Sequence, residues 1–274
     1  MASDRTAMPS IRASLLLACL ALAPPAQANI FGTDNRRLIT PADHLSAVGL
    51  IVCEGTTRRP TATLISVNNR RTSDLIISVA HAFLTRENKP LTSCAFWPEG
   101  QADAAVPVVL SILGTHKPTS DWNNDWSVAR LTHALPARYQ PLSVLNLSND
   151  EALTARAEGE KFMLAGHNGE TGPMMLADQC GPRPKINADI NRFDPRAYNH
   201  DCDMMPGWSG GPFMLTRGHI RYVTAVNATE LNALVTRAGE AYDGAYNANT
   251  AVRIDGTFLD TINRFAREQP ATPY

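Results

Sequence analysis

Short runs rich in Val, Ile and Leu recur along this chain, each bounded by Pro, Gly, Asn or Asp. Examples are Ala47–Val52, Thr61–Val67, Asp74–Val79, Val106–Leu113, Trp126–Leu131, Lys161–Ala165, Gly211–Leu215 and Arg221–Val226. Runs of this length suit strands and are too short for helices, and their repeated spacing predicts an all-β sandwich or barrel. The C-terminus departs from this pattern. Asp255-Gly256-Thr257 is a capping sequence, and Phe258, Ile262 and Phe265 fall on one stripe, so residues 255–268 are expected to form a helix packed on the body. No repeat, low-complexity tract or linker divides the chain. The stretch Cys180–Asn199 reads as a long surface loop.

The first 28 residues stand apart from this plan. Arg12 precedes an apolar run from Ala13 to Ala23, followed by Pro24-Pro25 and the small-residue sequence Ala26-Gln27-Ala28. That is the layout of a secretory signal peptide cleaved after Ala28. The run is too short to span a bilayer, and no later stretch is long enough either, so no membrane span is expected in the mature chain. Leu16-Leu17-Ala18-Cys19 matches a lipoprotein anchor only loosely, since little apolar sequence precedes Cys19. Export, to the periplasm or the medium, makes disulfides permissible. Cys53, Cys94, Cys180 and Cys202 remain after cleavage, an even number with three possible connectivities. Pairing within each half of the chain, Cys53–Cys94 and Cys180–Cys202, is the favoured arrangement.

Lys and Arg total 25 against 26 Asp and Glu, so no basic field exists to hold nucleic acid. There is no Cys-x-x-Cys and no His-x-x-x-His, which leaves a zinc site without support. The segment with the most chemical content is Gly207-Trp208-Ser209-Gly210-Gly211-Pro212. Glycines around a serine allow a turn that aims neighbouring N–H groups at one point. An acyl-transfer site needs that combination, a hydroxyl nucleophile beside donors for the developing oxyanion. The same residues satisfy Gly-x-Ser-x-Gly, the nucleophile elbow of α/β-hydrolases. That scaffold needs an acid and then a histidine downstream, however, and here only His219 follows, with no Asp or Glu before it.

The partners lie upstream instead. Leu75–Val79 is a buried-strand run leading through Ala80 to His81, and Asp125 heads the alternating run Trp126–Leu131. Asp121 is a rival, but Asp125 directly abuts the strand. A neutral imidazole can take the Ser209 proton, and a buried carboxylate can fix its tautomer and stabilise the imidazolium. His116, His133, His167, His200 and His219 show no ligand spacing and are read as surface or loop residues. Trp97, Trp122 and Trp126 are read as core.

With His81, Asp125 and Ser209 in this order, the sequence resembles the trypsin/chymotrypsin-like serine peptidases from about Ala47 to the C-terminal helix. Val79-Ala80-His81 is similar to the family's Ala-Ala-His, Asp125 with Trp126-Ser127-Val128-Ala129 to its Asp-Ile-Ala-Leu, and Gly207–Pro212 to its Gly-Asp-Ser-Gly-Gly-Pro. Phe31-Gly32-Thr33-Asp34-Asn35-Arg36 and the cysteine pairs look like the bacterial branch that includes glutamyl endopeptidases. The resemblance implies two six-stranded antiparallel β-barrels, roughly 46–140 and 141–254, with the site in the cleft between them. It implies His81 as base, Asp125 as orienting carboxylate, Ser209 as nucleophile, and the N–H groups of Gly207 and Ser209 as oxyanion hole. The enzyme would act as a monomer on protein or peptide substrates, with no metal or organic cofactor. Asp203 occupies the place where trypsin-like members select basic side chains, and Asn227 the place of a specificity histidine in glutamyl endopeptidases, so both are expected to bind substrate. Two departures stand out. Trp208 replaces the Asp that pairs with a freed N-terminus in zymogen-type members, and Ala82 replaces the cysteine after the catalytic histidine. A bulky residue beside the nucleophile also opens the alternative of an inactive, peptidase-like binding protein.

Overall fold

The structure, a computed structural model, describes residues 29–68, 70–169, 172–184, 194–231 and 247–268. The expected signal peptide lies outside the described residues. A short strand, β1 (Arg37–Leu38), precedes β2 (Val48–Cys53), β3 (Thr61–Ser66), β4 (Ser73–Ser78), β5 (Cys94–Pro98), β6 (Val106–Leu113) and β7 (Ser127–Leu135). Strands β2 to β7 pair antiparallel in the order β3-β2-β5-β6-β7-β4, and the β3–β4 pairing closes them into a six-stranded barrel. All six residues of β3 are buried. Ile51, Leu64, Ile65, Ile76 and Phe96 are fully enclosed side chains of this half, and their burial contributes apolar stabilisation.

The chain then passes through β8 (Leu142–Val144) and α1 (Asn149–Ala157) into β9 (Lys161–His167), β10 (Met174–Cys180), β11 (Pro182–Arg183), β12 (Ala197–His200), β13 (Pro212–Arg217), β14 (Ile220–Leu231) and β15 (Ala248–Arg253). These pair in the order β1-β10-β9-β13-β14-β15-β12-β11. The six longer strands make the second barrel-like sheet, and β1 and β11 extend it beyond the six expected. Strand β8 pairs in parallel with β3 and with β14, joining the two halves. Helix α1 was not anticipated, although its start is written in Ser148-Asn149-Asp150-Glu151. The Ser148 side chain accepts from the Glu151 N–H and the Glu151 carboxylate accepts from the Ser148 N–H, a reciprocal cap.

The C-terminal helix, α2 (Gly256–Arg267), buries Phe258, Ile262 and Phe265 as the stripe predicts. Phe258 stacks on Trp126 with ring centroids 4.7 Å apart. Asp255 occupies the N-cap position, but its side chain makes no capping bond and sits 3.2 Å from Arg253 instead. Both disulfides form within their own halves. Cys53–Cys94 crosses the β2–β5 ladder, and Cys180–Cys202 ties the end of β10 to the loop after β12. Within 180–199 the loop expectation gives way at both ends to β11 and β12. Trp126 is buried, whereas Trp97 and Trp122 are only half-buried. No helix among the described residues is long and apolar enough to cross a membrane.

Candidate active site

His81 lies in the single turn Ala80–Phe83 at the end of β4, where the apolar strand leaves the barrel interior. Asp125 lies in the turn just before β7, the neighbour of β4 in the ladder. One strand pairing therefore brings together two residues 44 positions apart. The Asp125 carboxylate uses both oxygens on the same residue. One lies 2.6 Å from His81 Nδ1 and the other accepts the His81 backbone N–H at 3.0 Å. Asp125 is buried while about a quarter of the His81 side chain stays exposed, so the imidazole is held through Nδ1 and partly open to solvent. Asp121, the rival carboxylate, instead accepts from Asn124 Nδ2 at 2.8 Å.

Ser209 stands in the loop before β13, across a cleft of about 270 Å3 that it lines together with His81, Gly207, Gly169, Pro206, Arg58, Arg59 and Pro60. The loop is pinned to the first barrel by Thr61 of β3. The Thr61 N–H donates to the carbonyls of Ser209 at 2.8 Å and Gly207 at 3.2 Å, and its hydroxyl donates to Gly207 at 2.7 Å. Gly207 has φ +101° and Gly210 φ +82°, backbone conformations open to glycine and strained for other residues. In this turn the N–H groups of Trp208, Gly210 and Gly211 donate to the carbonyls of Met205, Asn227 and Trp208. Those of Gly207 and Ser209 donate to no acceptor among the described residues. The Ser209 hydroxyl lies 3.5 Å from the Ala228 carbonyl of β14. A larger cavity of about 620 Å3, lined by Leu38, His44, Val48, Arg138 and Met174 among others, shares none of its lining with this cleft.

Trp208 does not intrude on the site. Its side chain is fully buried and packs against Gly166 of β9, where a Cβ would fall closer than 3.0 Å to the indole. The motif therefore places its bulkiest residue in the second core, next in sequence to Ser209.

Asp203 and Asn227 are placed differently from the sequence expectation, and neither lines the cleft. Asp203 is fully buried, and its two carboxylate oxygens accept the N–H groups of Phe31 at 2.7 Å and Asn35 at 3.1 Å. It anchors the segment leading into β1 rather than presenting a charge to substrate. Burial pushes its pKa up, against those two hydrogen bonds. The Asn227 side chain is likewise committed inside. Its amide donates to the Trp208 carbonyl at 3.0 Å, and its Oδ1 lies 3.1 Å from His200 Nε2. His200 itself is fully buried and His167 is buried, so the surface reading of these two histidines is wrong. Burial holds the His200 pKa down at about 4 and lowers that of His167. Among the described residues, no group of three or more His, Cys, Asp or Glu is gathered to hold a metal. Arg58, Arg59, Gly169 and Pro206, which sequence reasoning did not single out, complete the cleft wall; nothing in their local pattern marked them.

No family model matches the sequence, and no curated protein matches it. Solved structures do match its fold. A Glu endopeptidase in complex with MPD superposes with a TM-score of 0.62 at 12% identity, covering 87% of this chain and all of that one. A thermostable serine protease, AL20, from an extremophilic microorganism gives 0.56 at 13% identity, with 82% and 98% covered. The protease Anisep from Arthrobacter nicotinovorans gives 0.57 at 14% identity, with 85% and 100% covered. At these identities the likeness is one of fold, and the chain has the two-barrel, chymotrypsin-like fold of these proteases.

Proposed function

We propose that this chain is an exported serine endopeptidase. The observation that carries the reading is the Asp125-held His81 opening onto the cleft that Ser209 lines. Ser209 attacks the scissile carbonyl while His81 takes its proton. The tetrahedral oxyanion is received by the N–H groups of Gly207 and Ser209, which have no other acceptor among the described residues. His81 then protonates the departing amine, and the acyl-enzyme is hydrolysed by water through the same steps in reverse order of roles. Asp125 fixes the imidazole orientation and stabilises the imidazolium. A Ser209 hydroxyl resting near Ala228 is compatible with this, because such bonds tighten when substrate fills the site. The two disulfides accord with export, and protease-fold neighbours accord with peptide substrates.

Intact mass before and after a neutral fluorophosphonate probe tests the assignment. One adduct on the folded wild type and none on Ser209→Ala is the expected result. A folded wild type that takes no adduct would transfer the assignment to a peptide-binding protein on a protease scaffold.

A further inference from the structure

Two arginines line the cleft beside the nucleophile, and neither has an ion-pair partner among the described residues. Both are half-buried. Arg58 donates to the Leu84 carbonyl, and Arg59 to the carbonyls of Thr56 at 3.2 Å and Arg58 at 3.1 Å, with its guanidinium 6.0 Å from the centre of the Trp97 ring. Arg221 apart, the other described arginines withdrawn from solvent are treated differently. Arg130 meets Asp74, Arg156 meets Asp201 and Arg253 meets Asp255. A cation moved out of water without a counter-charge is unfavourable unless something restores one. The other charged groups acting on Arg58 are Arg86, which adds to the positive field, and the fully exposed Glu87. A guanidinium fork matches a carboxylate in shape as well as charge.

The geometry also indicates which part of a substrate would meet this pair. His81, which must hand its proton to the departing amine, lines the same cleft. Strand β14, whose Ala228 carbonyl faces the Ser209 hydroxyl, contributes no residue to its wall among the described ones. The arginines therefore lie on the leaving-group flank of the nucleophile.

We propose that Arg58 and Arg59 form a subsite for a carboxylate side chain, aspartate or glutamate, in the first residues following the scissile bond. The inference rests on the protease reading above. A charge-assisted hydrogen bond to a partly withdrawn guanidinium corresponds to a preference of about tenfold over the isosteric amide, and salt weakens it.

The test is digestion of a proteome-derived peptide library by wild type, by the R58Q/R59Q double variant and by R59K, with the fluorophosphonate adduct measured in parallel. Quenched peptides differing only as Glu or Gln after the cleaved bond then give the ratio of kcat/KM within each protein, so a general loss of stability cancels. The expected result is enrichment of Asp and Glu after the cut, a ratio of about ten at low salt, a fall towards one in the double variant, and partial retention in R59K. Cleavage without that enrichment, enrichment only before the cut, or a ratio unchanged in the double variant would overturn the subsite and leave the protease reading standing. Absence of both adduct and cleavage would overturn the protease reading and the subsite with it.

Discussion

Gly210 is the position at which one added methyl group should separate the fold from the chemistry. Its φ is +82°, and a Cβ built there would fall under 3.0 Å from both Ser78 Oγ and the Thr61 carbonyl. Neither neighbour can yield cheaply. Ser78 Oγ donates to that same Thr61 carbonyl at 2.7 Å, and the Thr61 N–H holds the Ser209 carbonyl at 2.8 Å. The Gly210 N–H also donates to Asn227 at 2.7 Å, so the loop is fastened on both sides of the methyl. Relieving the contact requires a shift of roughly 1 Å in the nucleophile loop, enough to lower the rate of Ser209 chemistry about 100-fold. The left-handed backbone adds about 1 kcal/mol of strain. Gly218 supplies the control, because its φ is +62° and a Cβ there meets nothing within 4 Å. Gly218→Ala carries the backbone strain alone. Fluorophosphonate labelling rate and thermal melting of Gly210→Ala, Gly218→Ala and wild type decide the matter. Gly218→Ala should label as wild type does and melt a few degrees lower, whereas Gly210→Ala should lose both rate and stability. Equal labelling by all three would refute the argument that the Thr61–Ser78 contact positions the nucleophile.

Asp125→Asn keeps the shape of the site but offers an amide where His81 needs an acceptor, so kcat should fall roughly 1,000- to 10,000-fold in steady-state assays; a loss under tenfold would remove Asp125 from the mechanism. His200 titrates near 6.5 when unfolded and near 4 when folded, so between those values the unfolded state binds more protons and stability falls as pH drops. The shift corresponds to about 3 kcal/mol, read as the extra loss of wild type over His200→Gln in urea denaturation between pH 7 and 4, and parallel curves would count against it. Asp203→Ala removes the acceptor of the Phe31 and Asn35 N–H groups, which should lower stability by about 3 kcal/mol and open residues 29–36 to added protease without altering residue preference. A changed preference in that variant would return Asp203 to the substrate pocket.

The strands around the site were legible because they are mostly buried and each carries a short apolar run. β3, β4 and β13 fall within a residue or two of their expected limits. β1, β5, β8, β10, β11, β12 and β15 match none of the apolar runs named from the sequence; β5, β10, β12 and β15 carry polar or small residues among their apolar ones and are held by pairing with other strands. His81, Asp125 and the Gly207–Pro212 loop were legible for another reason. Each pairs a reactive side chain with the local pattern that exposes it, a strand end or a glycine turn, and local patterns are what a sequence displays.

Asp203 and Asn227 were placed in the fold but not in their roles, and the cause is general. Position along a strand or loop fixes where a side chain begins, whereas the group that claims its oxygen atoms comes from elsewhere in the chain. For Asp203 the claimants are backbone N–H groups more than 160 residues away, and Phe31 and Asn35 carry no side-chain mark of that service. For Asn227 the claimant is His200 of β12, 27 residues away in sequence, whose ring is buried beside Phe213. Arg58 and Arg59 show the converse case. They lie in an unremarkable polar stretch, and only the pairing of β3 with the nucleophile loop turns that stretch into a wall of the cleft. The lining of the cleft around Ser209 is therefore set by tertiary contacts, whereas the proposed triad is set by local motifs.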